Sequence, residues 1–238
     1  MLDLLVIASH PDDAELSCAG TILSNVAKGR KVGIADLTRG ELGTRGSAEL
    51  RDSEAKASAE ILGLTARVNL GFEDGFFSVD DKHHTLELIK IIRRFRPEVV
   101  LCNAKDDRHP DHGRGGALAS RACFLSGLIK IETQREGKSQ EAWRPRLVLN
   151  YIQDRLTKPD VVVDITPYWE KKIEAIKAFK SQFYDPFSKE PVTYISTPEF
   201  FDFIQARALE FGHSIGVKYG EGYTMAKQVG VEDLFNLV

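Results

Sequence analysis

The chain has 238 residues, 42% hydrophobic and 28% charged, and its 32 basic and 35 acidic residues give a net charge of −3. These values are typical of an ordinary globular protein with one sizeable core. They exclude the strongly basic character of nucleic-acid-binding proteins, and no apolar run is long enough to span a bilayer. We therefore expect neither a nucleic-acid nor a membrane partner, and no signal peptide. Cys18, Cys102 and Cys123 form no CxxC motif, which favours a reducing, cytoplasmic location.

Strand-like and helix-like segments alternate along the chain. The first half predicts, in order, a strand at residues 2–9, a helix at 14–28, a strand at 31–38, a helix at about 47–62, a strand at 66–70 and a helix that carries Leu86, Ile89, Ile92 and Phe95 on one face. The second half predicts a strand at 98–104, a helix at about 113–128, strands at 146–152 and 161–165, a helix at about 168–180 and a last helix that ends near Phe211.

Two segments lack this regular pattern. Residues 130–145 are polar and are predicted to form a surface loop, and residues 183–198 are rich in proline and aromatic side chains. Strands that alternate with helices predict βαβ units, and therefore a Rossmann-like, three-layer α/β sandwich with a mainly parallel sheet and an irregular C-terminal part. No stretch has the composition of a linker, so we expect a single domain over residues 1–238.

Two polar clusters follow predicted strands. HPDD (residues 10–13) comes directly after the first strand, and KDDRHPDH (residues 105–112) comes after the fourth. Open parallel sheets bind ligands beyond the carboxyl ends of their strands. The two clusters are distant in sequence, yet we expect them to meet at the same edge of the sheet.

The two clusters together predict a metal site. His10 and Asp13 lie across a strand-to-helix turn and can face one point, and His112 can approach that point from the second cluster. Two histidines and one carboxylate suit zinc as an activator of water, and they also suit ferrous iron.

The remaining acids and histidine of the clusters are candidates for proton transfer. Asp12 is placed to act as the base for the attacking water, and His109 as a second proton carrier whose ring Asp111 orients. The alternative is structural, because an aspartate that precedes a helix is a good N-cap. Asp12 or Asp13 could cap the first helix in this way, and Asp111 the helix after the second cluster.

Two further positions are candidates for substrate contact. Arg51 lies near the start of a predicted helix, where its charge opposes the helix dipole. It forms either a surface ion pair or a contact with a polar substrate in the cleft. Asp74 and its neighbour Glu73 follow the third strand and can accept hydrogen bonds from sugar hydroxyls, or they belong to a plain turn.

The ordered set of motifs resembles the LmbE-like (PIG-L) zinc deacetylases of N-acetylglucosamine derivatives. It covers nearly the whole chain and consists of ASHPDDAEL, ELRDSEA, DRHPDH, KPDVVVDI, AFKSQF and GVKYGEGY. The likeness is greatest to the bacillithiol-biosynthesis branch, whose members deacetylate N-acetylglucosaminyl malate. The resemblance also implies a homo-oligomer, often a hexamer in this branch.

The resemblance assigns roles to individual residues. It implies one zinc ion per chain held by His10, Asp13 and His112, with Asp12 as the general base. His109 would stabilise or protonate the tetrahedral intermediate, with Asp111 as its partner; Arg51 and Asp74 match positions that hold the sugar. Arg108, Arg45 or Lys105 are candidates to meet the carboxylates of a malyl group. Some relatives use a mobile tyrosine as an oxyanion donor, and no tyrosine is assigned that role here.

We therefore expect a zinc-dependent hydrolase that removes the N-acetyl group from an N-acetylglucosamine conjugate, with N-acetylglucosaminyl malate as the first candidate. Three alternatives stay open at this point. They are a deacetylase of another N-acetylglucosaminide, a non-catalytic sugar-binding protein on the same fold, and a two-metal phosphoesterase.

Overall fold

Strand β1 (Leu4–Ala8) is buried along its whole length, as is typical of a parallel strand with helices on both faces of its sheet. The computed structural model describes residues 1–236. The other strands are β2 (Val32–Thr38), β3 (Ala66–Phe72), β4 (Val99–Cys102), β5 (Gln134–Arg135), β6 (Lys138–Ser139), β7 (Leu147–Tyr151), β8 (Val161–Asp164) and β9 (Gly220–Met225). Seven of them form one sheet in the order β3-β2-β1-β4-β7-β9-β8.

Six helices cover the two faces of this sheet. They are α1 (Asp13–Ala27), α2 (Ala48–Leu62), α3 (Lys82–Phe95), α4 (Pro110–Leu125), α5 (Trp169–Lys177) and α6 (Glu199–Ser214). Leu5 and Ile7 of β1 belong to the core shared with α3 and α4. Leu4 and Val6 belong to the opposite core with α1. This alternation follows from the two-residue period of a strand, and it divides the protein into three layers.

The predicted fold class is confirmed: strands β3, β2, β1, β4 and β7 pair in parallel. Strand β9 was not predicted from the sequence, and it pairs antiparallel with both β7 and β8. Its segment GEGYTM contains Gly220 and Gly222, and glycine is depleted in strands. The structure shows why glycine is needed, because a Cβ on Gly222 would lie 2.8 Å from the Phe211 ring of α6.

Two further expectations concern the rest of the chain. The segment predicted as a surface loop contains the small antiparallel hairpin β5–β6. The strands of the main sheet come from positions between Leu4 and Met225. A single domain over residues 1–238 stays a prediction, and its residues 237–238 lie outside the described residues. In the part of the chain that is described, no helix combines the length and the apolar character needed to cross a membrane.

Candidate active site

A cavity of about 410 Å³ opens at the carboxyl edge of the sheet. It is lined by eight of the nine residues expected to carry function, namely His10, Asp12, Asp13, Arg51, Asp74, Arg108, His109 and His112. Asp111 is fully buried beside this cavity. A larger groove of about 700 Å³ lies along α2 and β3, but the described residues that line it include no histidine. The smaller cavity therefore holds the chemically distinctive side chains.

The turn between β1 and α1 has an unusual backbone at Asp12. This residue has φ 116° and ψ −25° and stands at the N-cap position, yet its side chain makes no capping hydrogen bond. A positive φ in a residue other than glycine is strained, and such strain is common at functional sites. The capping alternative is therefore wrong for Asp12, whose carboxylate contacts Arg51 instead.

Asp13 lies between the two histidines expected to share a metal with it. Its Oδ1 is 3.0 Å from His112 Nε2, and its Oδ2 is 3.6 Å from His10 Nδ1. Ligand atoms around a tetrahedral zinc ion with bonds of about 2.0–2.1 Å lie roughly 3.3–3.5 Å apart. The three side chains thus fit a metal in both donor chemistry and spacing.

The structure also brings other donors close to the same place. His109 has a ring nitrogen within 4.8 Å of nitrogens of His10 and His112, and His10 forms a second such group with Asp74 and Asp111. The geometry therefore offers a three-histidine set as an alternative to the set with Asp13. Four buried carboxylates contact this histidine cluster directly, from Asp13, Asp74, Asp107 and Asp111. Such an excess of negative charge favours a bound cation.

The pKa values of Asp13 and His112 reflect the opposite charges that surround each of them. Burial disfavours charge on Asp13, but His112 and His10 outweigh it and hold the pKa of this carboxyl well below its usual range. Burial likewise lowers the pKa of His112, but contact with Asp13 and Asp107 raises it to about 9. Asp13 is therefore ionised at neutral pH, as a metal ligand must be.

Three residues that were not predicted from the sequence hold this site in place. Asn103 and Gln153 donate side-chain amide hydrogens to the two oxygens of Asp13, at 3.0 and 3.2 Å. Asp107 lies 2.5 Å from Nδ1 of His112 and so orients its ring, as a carboxylate behind a ligand histidine commonly does. Asn103 and Gln153 follow β4 and β7, and a polar residue just after a buried strand was the available signal.

Arg51 is buried, and its guanidinium is already bonded. It donates to Asp12 Oδ2 at 2.7 Å and to the carbonyl of Pro11 at 2.9 Å. The surface ion pair is therefore wrong, and a contact of Arg51 with substrate stays a prediction. Burial raises the pKa of Asp12 to about 6, against the opposing charge of Arg51. A carboxylate with a pKa in this range suits general base catalysis near neutral pH.

His109 is the N-cap of α4, where its Nδ1 accepts the backbone N–H of Asp111 at 3.3 Å. This bond assigns the proton of the neutral ring to Nε2. Burial and the nearby His10 and His112 lower the pKa of His109. The neutral ring therefore offers an Nε2–H donor at the cavity wall.

The carboxylate of Asp111 does not contact His109, the residue that it was expected to orient. Its Oδ2 lies 3.2 Å from His10 Nε2 and accepts the N–H of Gly75 at 2.9 Å. It therefore orients His10 and not His109, because the backbone N–H of Asp111 already occupies the inner nitrogen of His109. Asp74 also contacts His10, with its Oδ1 3.0 Å from Nε2, and its Oδ2 accepts the N–H of Leu42. Its expected contact with the sugar stays a prediction.

Arg108 lies at the rim of the cavity. Its Nε is 3.2 Å from Asp154, its guanidinium carbon is 4.3 Å from the centre of the Tyr194 ring, and its side chain is 47% exposed. Tyr194 also lines the cavity. Arg45 is buried and donates to the carbonyl of Ser181, so it is less free to meet a ligand than Arg108.

Comparison with known proteins agrees with these features. Residues 5–123 match the family described as PIG-L: GlcNAc-PI de-N-acetylase. The chain is 30% identical over 229 residues to diacetylchitobiose deacetylase of Thermococcus kodakarensis, with 92% of this chain and 81% of the relative covered. It is 27% identical over 192 residues to a probable N-acetyl-alpha-D-glucosaminyl L-malate deacetylase 2 of Bacillus anthracis, with 76% and 81% covered.

Two other comparisons bear on fold and chemistry. The crystal structure of a conserved protein from Thermus thermophilus has a TM-score of 0.87 and 35% identity, and covers 98% of this chain and 99% of that one. A 4-oxalmesaconate hydratase of Pseudomonas putida is 28% identical over 194 residues, with 75% and 73% covered, so the relatives include a hydratase as well as deacetylases. The extent of these matches shows that the chain belongs to the PIG-L family.

Proposed function

We propose that this protein is a zinc-dependent deacetylase that hydrolyses the acetamide of an N-acetylglucosamine conjugate. The chain belongs to the PIG-L family, and its relatives include deacetylases of N-acetylglucosamine derivatives, so it is an amide-hydrolysing deacetylase of such substrates. The observation that carries the proposed zinc dependence is the position of Asp13 between His10 and His112, with Asp12 beside it in the wall of the same cavity.

His10, Asp13 and His112 would hold the metal, with ferrous iron as the alternative to zinc. When bound, zinc lowers the pKa of a water molecule and polarises the acetyl carbonyl. The amides of Asn103 and Gln153 hold both oxygens of Asp13, and Asp107 holds the ring of His112. These contacts restrict the ligand side chains to the geometry that a metal needs.

Asp12 and His109 divide the proton transfers. Asp12 accepts the proton of the attacking water, and Arg51 keeps its carboxylate ionised. The Nε2–H of His109 is the donor available to the oxygen of the tetrahedral intermediate. Because its lowered pKa keeps His109 neutral, the proton that the leaving amine needs returns from Asp12. The products are acetate and a free amine.

The group attached to the sugar is proposed to be malate. Arg108 supports this choice, because its half-exposed side chain brings a positive charge to the rim, where a carboxylate of the substrate can approach it. A second neutral sugar is the alternative, in view of the diacetylchitobiose deacetylase among the relatives. Tyr194, which is half-exposed and lines the same rim, offers such a sugar an aromatic contact.

The experiment compares release of free amine and acetate from N-acetylglucosaminyl malate, diacetylchitobiose and N-acetylglucosamine by zinc-loaded protein. The proposal expects the malate conjugate to react fastest, with the advantage lost in Arg108→Gln. Faster reaction of diacetylchitobiose would replace malate with a second sugar. No acetate from any of the three substrates would contradict the deacetylase itself and favour a binding protein or a hydratase. Two metal ions per chain with phosphoester cleavage would favour a phosphoesterase.

Assembly and location are also proposals. We propose a homo-oligomer, in particular a hexamer, from the family resemblance, and a cytoplasmic location from the three free cysteines, which form no CxxC motif. Light scattering on the purified protein tests the number of subunits, and a mass equal to one chain would contradict the proposed assembly.

A further inference from the structure

Helix α1, which carries Asp13, is interrupted at Cys18. This residue has φ −144° and ψ 16°, outside the helical region. The helix therefore consists of two pieces, residues 13–17 and 19–27. The first piece bears Asp13 and Leu16, which both line the active-site cavity. A break leaves backbone N–H and C=O groups without partners inside the helix, and buried groups of this kind need partners elsewhere.

Two side chains from distant elements supply these partners. Glu221 of β9 accepts the backbone N–H groups of Gly20 and Thr21 at 2.9 and 2.8 Å, and so caps the second piece. Lys172 of α5 donates to the carbonyl of Leu16 at 2.9 Å, at the end of the first piece. The two charged groups also bond to each other at 2.7 Å, and each side chain is only 3% exposed.

The second piece is held independently by close packing. A Cβ on Gly20 would lie 2.5 Å from Cβ of Ile165, so the helix backbone there lies directly against the chain that leads into α5. The first piece is short and is held near its start by side chains: Asn103 and Gln153 bind Asp13, and Glu15 accepts hydrogen bonds from Ser58 and Arg67. At its other end the backbone is bound by Lys172, so the Lys172–Glu221 pair fixes where the first piece meets the second.

We propose that the Lys172–Glu221 ion pair positions the metal-binding turn. By joining the end of the first piece of α1 to the start of the second, the pair places Asp13 between His10 and His112. Stability alone is a weak reason for a fully buried ion pair, because loss of hydration offsets most of the attraction. A geometric role accounts for both partners: each one binds a backbone group that the break has exposed.

The proposal rests on the metal-dependent function proposed above, and Co²⁺ tests it without measuring activity. The variants are Glu221→Gln, which keeps the shape, and the double variant Lys172→Met with Glu221→Gln, which leaves no unpaired charge. The readouts are the affinity for Co²⁺ in competition with a chromophoric chelator, the visible absorption spectrum of bound Co²⁺, and the Tm of the metal-free protein. We expect Co²⁺ affinity to fall by about 10- to 100-fold, with a changed spectrum.

Arg93→Met is the matched control. Arg93 is also buried and also binds backbone carbonyls, those of Ser126 and Leu128, but these lie beyond the end of α4 that is remote from the cavity. We expect it to lower Tm and to leave the Co²⁺ affinity and spectrum unchanged. If the double variant lowers Tm yet keeps the wild-type Co²⁺ affinity and spectrum, the ion pair is merely structural and the proposal is overturned. If the wild-type protein binds no Co²⁺, the proposed metal site is wrong as well.

Discussion

The guanidinium of Arg51 lies 2.7 Å from the carboxylate of Asp12, and both side chains are buried in the wall of the cavity. The two residues come from α2 and from the turn before α1, so only the folded chain brings them together. Burial raises the pKa of Asp12, and the charge of Arg51 opposes that rise. The proposed base is thus kept available by an arginine that the sequence suggested as a substrate contact.

Replacement of Asp12 should separate catalysis from metal binding. Asp12→Asn keeps the shape and a hydrogen-bond acceptor for Arg51 but cannot take a proton. We expect kcat to fall by about 10²–10⁴-fold, with the metal content unchanged. Amine release and elemental analysis on the same sample measure the two quantities. Near-wild-type turnover by the metal-loaded variant would rule out Asp12 as the base.

Replacement of Arg51 should move the acidic limb of the pH profile. Protonated Asp12 cannot accept a proton, so kcat/KM falls as the pH drops through the pKa of Asp12, about 6 in the metal-free protein. A bound cation lowers that pKa, so the wild-type limb should lie at or below pH 6. Arg51→Gln removes a charge that lowers the pKa, and the limb should move to higher pH. Arg108→Gln, at the rim, is the control whose limb stays in place.

A shift of the limb to lower pH in Arg51→Gln, or the same shift in both variants, would contradict this link between Arg51 and Asp12. A higher KM in Arg51→Gln with an unmoved limb would point to a contact with substrate instead.

The two possible ligand sets can be separated by metal content. If Asp13 is a ligand, Asp13→Asn should lower zinc affinity strongly, because a neutral amide replaces a charged oxygen donor. His109→Gln should keep one zinc ion per chain and lose turnover. Equilibrium dialysis of both variants measures this. The reverse result, with zinc retained in Asp13→Asn and lost in His109→Gln, would favour the three-histidine set.

Asp107 should act on the metal through His112, whose Nδ1 it contacts. Asp107→Asn replaces the charged acceptor behind the ligand histidine, and we expect zinc affinity to fall by about 10- to 100-fold. Its neighbour Asp106 is exposed and pairs with Arg155, so Asp106→Asn is a matched control. Equal affinities in the two variants would show that Asp107 has no part in metal binding.

Removal of the metal should abolish activity and lower stability together. Zinc at about 100 times its Kd should stabilise the folded protein by about 2.7 kcal/mol, because the unfolded chain has no assembled site. Dialysis against a chelator, followed by addition of zinc or ferrous iron, tests both effects by amine release and by Tm. Activity that persists in the chelated protein would contradict a metal-dependent reaction.

Much of the fold could be predicted, because each strand and helix has a local pattern. Strand β9 is the exception in the main sheet. Its glycines weaken the strand pattern, and they are present because α6 packs directly on that strand. A requirement imposed by a distant helix leaves no periodic signal in the strand itself.

The candidate site could be predicted in part. His10, Asp13, His109 and His112 do meet at one cavity, as expected from their positions after strands of a parallel sheet. The contact of Asp111 with His10 could not be predicted. It depends on the hydrogen bond from the backbone N–H of Asp111 to His109 Nδ1, which only the folded start of α4 creates. Asn103 and Gln153 were missed because an isolated amide after a strand does not distinguish a site residue from an ordinary loop residue.

The sequence by itself determined the fold class, the family and the two clusters of functional residues, because strand and helix periodicity and the order of short motifs are local properties of a chain. Only the tertiary structure decided that Arg51 binds Asp12, that Asp74 and Asp111 both face His10, and that Lys172 and Glu221 close the break in α1. The physical reason is distance along the chain. Each of these contacts joins segments whose relative position is set by the packing of helices on the sheet, and side-chain direction at that scale is not encoded in any local pattern.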